Sequence, residues 1–440
     1  GLDPHGRTTR RHMAGPPRLT RNIVARINDS DSVDHVAAVL APMRLLDRYG
    51  IPTSCQVVAG EHLPAGPTQP QSGIEQRIAS VWRDILCQHK IQRDDDFFDL
   101  GGTSLQMAQM HQRICQELGC DLRWADVLRT RTISALAALL DGPGTAGAET
   151  LTWRGLRYAY RYLTHRAAPE SIPLVLITGA FQGMYAMPRI EHLLRPLGNM
   201  LMADLPGSGC ADNLSSDHGF DFLADCLNHL LGELGIPRVN LVGVSYGGSI
   251  AYEFAHRWPD RINRLALAGT VNSFPAYIMA SRGASTRILE QGKLEPFVDH
   301  IVAATMCLDP DIPIRNREAT RTLMEKILRE STPREAARYL DVQNRVLAPA
   351  RNPQDRVFDR PTLVFTGEHD TLTPPTFVRD LAATISGALY TSFKDADHLV
   401  PMECPEEMAD LLIRFFTDQS LDNLPYCYPI ERQRARLVSA

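Results

Sequence analysis

The run Val239-Asn240-Leu241-Val242-Gly243-Val244-Ser245-Tyr246-Gly247-Gly248-Ser249 decides how the rest of the chain is read. Its first half is apolar and β-branched, the composition of a strand covered on both faces. The serine between Gly243 and Gly247 then needs a sharp turn into a helix beginning near Ser249, and such a turn lifts the serine oxygen above the end of the strand. Both glycines relieve crowding where strand and helix meet. The spacing Gly-x-Ser-x-Gly is a weak signal alone. The strand before it and the helix after it give it weight.

Outward from that stretch the same rhythm repeats. Apolar runs at 173–178, 199–203, 264–268 and 361–366, with a further strand at 388–393, alternate with helical stretches. That order predicts a mostly parallel sheet with crossover helices on both faces. Before it, residues 151–163 read as a hairpin turning at Arg154-Gly155, with Tyr158, Tyr160 and Tyr162 alternating. From about Ser273 to Arg356 the rhythm breaks into charged, helical sequence, expected to form a lid. Phe274, Tyr277, Ile278, Met279, Phe297, Ile301 and Met306 supply its apolar underside, a cover that would favour transfer of an acyl group over hydrolysis.

A serine hydroxyl is a poor nucleophile until a neighbouring base takes its proton, so a base and an acid that orients it are sought downstream. Asp370, in FTGEHDTLTPP, follows the strand at 361–366; His398, in KDADHLVPME, follows the strand at 388–393. Both fall on loops after strands, where the site of an open parallel sheet lies. Glu368 and His369 flank Asp370 but point elsewhere along the loop, and Asp395 and Asp397 sit too close to His398 in the chain to orient it. His218, His229 and His256 fall on helices or a surface loop, and Asp204 ends a strand and organises its own turn. The oxyanion needs two backbone donors. Tyr246 N–H is one; the other comes from the loop Gly179–Gly183, at Ala180 or Phe181.

A smaller unit precedes this one. Leu63–Gly73 and Asp141–Thr150 are rich in Pro, Gly and small residues and read as linkers. Between them, Ile74, Ile78, Val81, Trp82, Ile85 and Leu86 recur at helical spacing, a second helix starts at Ser104, and a last follows Thr132, giving a small helical bundle. In Asp96-Phe97-Phe98-Asp99-Leu100-Gly101-Gly102-Thr103-Ser104-Leu105 the serine stands at a helix entry after two glycines. A phosphate ester is electrostatically favoured at such a helix start. The same serine also suits a purely structural N-cap.

DxFFDLGGTSL, with the Met- and Leu-bearing helix after it, resembles the thiolation, or peptidyl carrier, domain of nonribosomal peptide synthetases over about residues 72–141. The resemblance implies 4′-phosphopantetheine on Ser104, attached by a phosphopantetheinyl transferase and loaded by an upstream synthetase or adenylation enzyme. Residues 153–418, with DLPGSG, GVSYGGS, GEHDTLTP and DADHLVP in order, look like an α/β-hydrolase. Within that family the impression is of carrier-linked acyl processing, as in synthetase thioesterases and the hydroxyacyl transferases of rhamnolipid biosynthesis. Many synthetase-terminal thioesterases carry their acid one strand earlier than Asp370. The resemblance implies a Ser245-His398-Asp370 thioesterase that releases the carrier-bound group to water or by cyclisation, or else passes it to a small alcohol or amine. A docking module without chemistry is a further alternative.

The division expected is thus 1–71 as an N-terminal extension, 72–141 as carrier, 142–152 as linker, 153–418 as hydrolase with its lid at about 273–356, and 419–440 as a tail. Residues 34–67 faintly resemble the end of an adenylation domain, without its lysine. Of the 440 residues, 46 are Lys or Arg and 51 Asp or Glu, so the net charge of −5 offers no general attraction to nucleic acid or an anionic membrane. The longest apolar run, Ile172–Phe181, is too short to span a bilayer. Nine cysteines, an odd number without a Cys-x-x-Cys pair, suggest reduced thiols, no metal site and a cytoplasmic setting. The Arg-rich start runs into Pro16-Pro17 and not into an apolar stretch, so it does not read as a signal peptide.

Overall fold

In the computed structural model, the strand and turn around Ser245 lie at the centre of a nine-stranded sheet. The described residues are 69–433 except 119–121, 142–147, 166, 275 and 349–358, together with the backbone of 21–27 and 53–59. Those last two stretches are β1 (Arg21–Ile27) and β2 (Thr53–Ala59), a parallel pair within a unit of residues 1–68. The adenylation-like reading of 34–67 falls largely outside the described residues, as do most of the linker and the end of the lid span.

Residues 69–440 form the second unit, in which bundle and sheet pack together. The bundle holds α1 (Gly73–Leu86), α2 (Ser104–Leu118), α3 (Trp124–Arg129) and α4 (Ile133–Asp141). The six-residue α3 was not legible as a separate helix, because it is too short to show a periodicity. Trp82, Phe97 and Phe98 are fully buried, and the Trp82 and Phe97 rings meet edge to face at 4.9 Å. Aromatic area of this size gives so small a bundle its core.

The hairpin β3 (Glu149–Trp153) and β4 (Leu156–Leu163) turns at Arg154 and Gly155, both at positive φ. Then come β5 (Leu174–Ile177), α5 (Pro188–Leu194), β6 (Met200–Asp204), α6 (Phe220–Glu233), β7 (Val239–Val244), α7 (Tyr246–Arg257) and β8 (Ile262–Ala268). Four helices follow without a strand: α8 (Ala276–Glu290), α9 (Leu294–Thr305), α10 (Arg317–Arg329) and α11 (Pro333–Leu347). The sheet resumes with β9 (Thr362–Gly367), α12 (Pro375–Ala383), β10 (Leu389–Phe393), α13 (Val400–Glu403) and α14 (Pro405–Phe416).

Strand order is β11-β10-β9-β8-β7-β5-β6-β4-β3. Neighbours from β6 through β5, β7, β8 and β9 to β10 are parallel, while β4 meets β6 antiparallel. The order reverses between β5 and β7, so the loops leaving those two strands diverge and open a crevice at their carboxyl ends. The sequence 419–440, read as a tail, instead supplies the edge strand β11 (Glu431–Arg432), antiparallel to β10. Two polar residues give no strand signal; only pairing defines them. Among the described residues no helix is long and apolar enough to cross a membrane, and seven cysteines are free.

Candidate active site

Ser245 has φ 51° and ψ −114°, the strained turn expected between β7 and α7. The helix begins at Tyr246, three residues earlier than its sequence pattern indicates, because Gly247 and Gly248 permit immediate close packing. A Cβ on Gly243 would lie 2.6 Å from Gly248 Cα, and one on Gly247 would collide with the β5 backbone at Ile177. Ser245 N–H donates to Ala268 O at 2.7 Å, fixing the elbow to β8.

His398 Nε2 lies 2.9 Å from Ser245 Oγ, and its Nδ1 lies 2.9 Å from Asp370 Oδ2. His398 and Asp370 are both buried. Asp370 Oδ1 accepts from Leu372 N at 2.9 Å and Thr373 N at 2.7 Å, and Oδ2 accepts from the Thr373 and Thr366 hydroxyls. This shell holds the carboxylate in one orientation, which in turn holds the imidazole. Neither threonine was singled out from sequence, although Thr373 lies three residues past the acid, where an Asx-type turn draws a hydroxyl back.

The rejected neighbours have other partners. Glu368 accepts from Asp395 N at 2.6 Å and the Tyr428 hydroxyl at 2.7 Å. Asp397 is fully buried and accepts from Cys307 N and Leu399 N. Asp204 accepts from Met184 N at 2.6 Å and Cys210 N at 2.7 Å, so it ties the loop after β5 to its own turn. His229 contacts Tyr158, and His256 the backbone of Tyr252, both away from Ser245. A residue missed entirely is Glu403. Its Oε2 accepts from Asp397 N at 2.8 Å, and burial, followed by its hydrogen bond to Asp397 and that residue's charge, pushes its carboxyl far above the usual range.

The loop after β5 runs against the elbow: a Cβ on Gly179 would sit 3.6 Å from Ser245 Cβ. Gly179 N–H donates to Gln182 Oε1 at 3.0 Å, and Phe181 takes φ 64°. Tyr246 N–H opens a helix and so has no intrahelical acceptor. Ala180 and Tyr246 line the same cavity as Ser245, about 550 Å³ in volume. Its other walls include residues 216–222 leading into α6, residues 269–274 after β8, and Met279, Arg282 and Arg345 of the lid helices.

The expected lid underside is therefore divided. Phe274 and Met279 reach the cavity. Phe297, Ile301 and Met306 instead form a core of the lid itself, with Tyr339 and Leu328. Phe181 joins that core, its ring 4.5 Å from Tyr339. Tyr277 faces outward at 63% exposure, contrary to its expected place. Arg345 pins α11 over the site, donating to the carbonyls of Leu214, Ser215 and His218 and to the Tyr246 hydroxyl.

In the bundle, Thr103 rather than Ser104 caps α2. Thr103 Oγ1 accepts from Gln106 N at 3.2 Å while Gln106 Oε1 accepts from Thr103 N at 3.0 Å, a reciprocal capping pair. Ser104 is the first helical residue, relieved of capping. A Cβ on nearby Gly101 would meet only open space, and Leu105 is 48% exposed. An accessible hydroxyl at an uncrowded helix start fits a phosphopantetheine group.

Bundle and sheet are joined by charge. Glu191 of α5 is buried and pairs with both end nitrogens of Arg161 from β4 at 3.1 Å and with Arg131 of the bundle at 3.1 Å. Arg131 also pairs with Asp96 at 2.9 Å, and His192 Nδ1 lies 2.6 Å from Asp99 Oδ1. Trp124 N–H donates to Glu330, at the end of α10, at 2.8 Å. Among the described residues no cluster of His, Cys, Asp or Glu is arranged to hold a metal.

Comparison with known proteins agrees with both halves. A family model described as the phosphopantetheine attachment site matches residues 76–140, and one described as the alpha/beta hydrolase fold matches residues 172–405. The chain is 31% identical over 102 residues to a poly(3-hydroxyalkanoate) depolymerase of Ectopseudomonas oleovorans, covering 23% of this chain and 36% of that protein. It is 36% identical over 83 residues to surfactin synthase subunit 3 of Bacillus subtilis (strain 168), covering 19% of this chain and 6% of that protein. The chain thus spans about a third or less of these relatives. Among solved structures, MGS-M2, an alpha/beta hydrolase enzyme from a Medee basin deep-sea metagenome library, superposes with a TM-score of 0.56 at 20% identity, covering 62% of this chain and 99% of that one. With a phosphopantetheine carrier domain at its front, the chain belongs to the α/β-hydrolase fold family.

Proposed function

We propose that the chain is a carrier-linked thioesterase of nonribosomal peptide or related secondary-metabolite synthesis. The observation that carries this is the continuous hydrogen-bond path Ser245–His398–Asp370 opening on a cavity, in one unit with a carrier bundle. Phosphopantetheine on Ser104 supplies a flexible arm whose thiol holds the acyl group as a thioester. The surfactin synthase similarity supports a peptide-synthetase context. A phosphopantetheinyl transferase and an upstream loading enzyme are then the partners.

His398 Nε2 takes the proton of Ser245 Oγ as that oxygen bonds to the acyl carbon, and returns it to the leaving group as the old bond breaks. Asp370 holds Nδ1–H, keeping the imidazole in the tautomer that accepts at Nε2 and stabilising the imidazolium. Tyr246 N–H and an N–H of Ala180 or Phe181 bind the carbonyl oxygen as it gains charge. In the second half His398 deprotonates water, or a nucleophile within the acyl group that closes a ring, and Ser245 Oγ recovers the proton.

The test loads the full chain with acyl-coenzyme A and a broad-specificity phosphopantetheinyl transferase, and follows intact mass. The wild type is expected to gain the acyl arm and shed the acyl group; Ser104→Ala gains nothing. Ser245→Ala keeps its acyl group, with release slowed by on the order of 10³-fold or more. His398→Ala approaches the same loss, the double variant adds little, and Asp370→Asn retains more activity than either. Release by Ser245→Ala at the wild-type rate overturns the reading.

A further inference from the structure

The cavity beside Ser245 contains a cation that the described protein does not neutralise. Arg282 of α8 lines that cavity, its guanidinium carbon 4.7 Å from the centroid of the Phe274 ring. One terminal N–H donates to Gln343 Oε1 at 2.8 Å. Gln343 is fully buried, and its amide nitrogen donates to Ser285 Oγ at 3.2 Å, which fixes the carbonyl end toward Arg282. Ring and amide together hold the guanidinium in one pose. Its Nε is buried and has no hydrogen-bond partner.

None of the four acidic residues that line the cavity, Asp217, Asp221, Asp225 and Glu253, is an ion-pair partner of Arg282. Arg257 takes Asp225 at 2.8 Å and Glu253 at 3.9 Å, and Asp217 accepts from the Ser215 hydroxyl. Arg345, a buried arginine of the same wall, directs its N–H groups to three backbone carbonyls and a hydroxyl. Burial accordingly pulls the Arg282 guanidinium down to about 10, with no acidic side chain among the described residues acting against it. A desolvated cation without an ion-pair partner is unfavourable until an anion joins it. The planar fork of arginine matches a carboxylate, which it binds through two parallel N–H donors.

The geometry points to Arg282 as a carboxylate-recognising subsite, so that the acyl group taken by Ser245 carries a second carboxyl group away from the reacting carbonyl. The choice of an acyl group rests on the thioesterase reading; the anion site rests on the cavity alone. Nothing in the arrangement requires the carboxylate to react. It anchors the far end of the chain while the carbonyl lies at Ser245.

Two arms test this separately. In the first, the full-length Ser245→Ala protein is titrated calorimetrically with monomethyl glutarate and with dimethyl glutarate. The anion is expected to bind and the diester not, and adding Arg282→Met weakens the anion about 10- to 100-fold, the range for a charged hydrogen-bonding partner. Arg282→Lys, which keeps the charge without the fork, falls between. No binding, equal binding of the diester, or an affinity unchanged by Arg282→Met overturns the subsite.

In the second arm, kcat/KM is compared for N-acetylcysteamine thioesters of succinic, glutaric and adipic acids and for their methyl esters. At least one chain length is expected to favour the free carboxyl form by about 10-fold or more. That ratio falls toward one in Arg282→Met and is partly rescued in Arg282→Lys. A ratio that is the same in all three proteins overturns the proposal. If no thioester turns over while monomethyl glutarate still binds through Arg282, the subsite stands and the thioesterase reading falls.

Discussion

Ser245 sits in a backbone conformation that costs a residue with a side chain about 1–3 kcal/mol, and the surrounding contacts hold it there. The buried Asp397–Glu403 pair shows the same localisation of cost near His398. Glu403 keeps its proton in the folded protein, since burial and the Asp397 carboxylate both oppose its charge. Once unfolded it ionises near its ordinary value of 4.5. The folded state therefore holds the extra proton above that pH, and this contribution to stability, complete below 4.5, is lost as pH rises. Glu403→Gln, which cannot ionise, is expected to lose less stability than the wild type between pH 5 and pH 8. A difference of about 1 kcal/mol or more corresponds to roughly 1–2 °C in melting temperature for a unit of this size, and equal losses would place the proton elsewhere. Ser245, Asp370 and His398 could be read from sequence because each occupies a loop after a strand in a fixed order. Glu403 and Arg282 could not. Their partners, Asp397 and Gln343, come from other turns and helices, and no local pattern marks a side chain whose role depends on such contacts.

At the scale of elements, the first turn of α2 separates two roles that adjacent hydroxyls were equally able to fill. Thr103→Ala removes the reciprocal pair with Gln106 and is expected to lower stability by about 1 kcal/mol. Ser104→Ala should leave the melting temperature nearly unchanged. Thermal melts of the two variants check this, and the opposite ranking would return Ser104 to a capping role. Strands β5 to β10 were legible because burial on both faces leaves long apolar runs. The lid was legible only as an interruption. Which of its apolar residues face the cavity and which face one another depends on how four helices pack, and Tyr277 and Phe297 look alike in sequence while lying outside and inside. The edge strand β11 is defined by its partner alone.

At the scale of the molecule, the bundle is held against the sheet by a carboxylate shared between two arginines. Breaking a buried pair is costly, on the order of 3–5 kcal/mol, because the remaining charge stays desolvated. Glu191→Gln is expected to speed amide hydrogen exchange across 73–141 while the central strands β5, β7 and β8 stay protected. Unchanged exchange in the bundle would assign its attachment to the α10 contacts instead. The separation of contacts along the chain has a further consequence, in the order of time. Polypeptides emerge and fold from the amino end. The bundle's core, built from residues such as Trp82, Phe97 and Ile133, is close in sequence, whereas Ser245 and His398 are 153 residues apart. During synthesis the hydroxyl of Ser104 is therefore on display while His398 has yet to be made, so that under the proposed function the newborn carrier is open to its modifying enzyme before its own chain is able to strip a cargo from it.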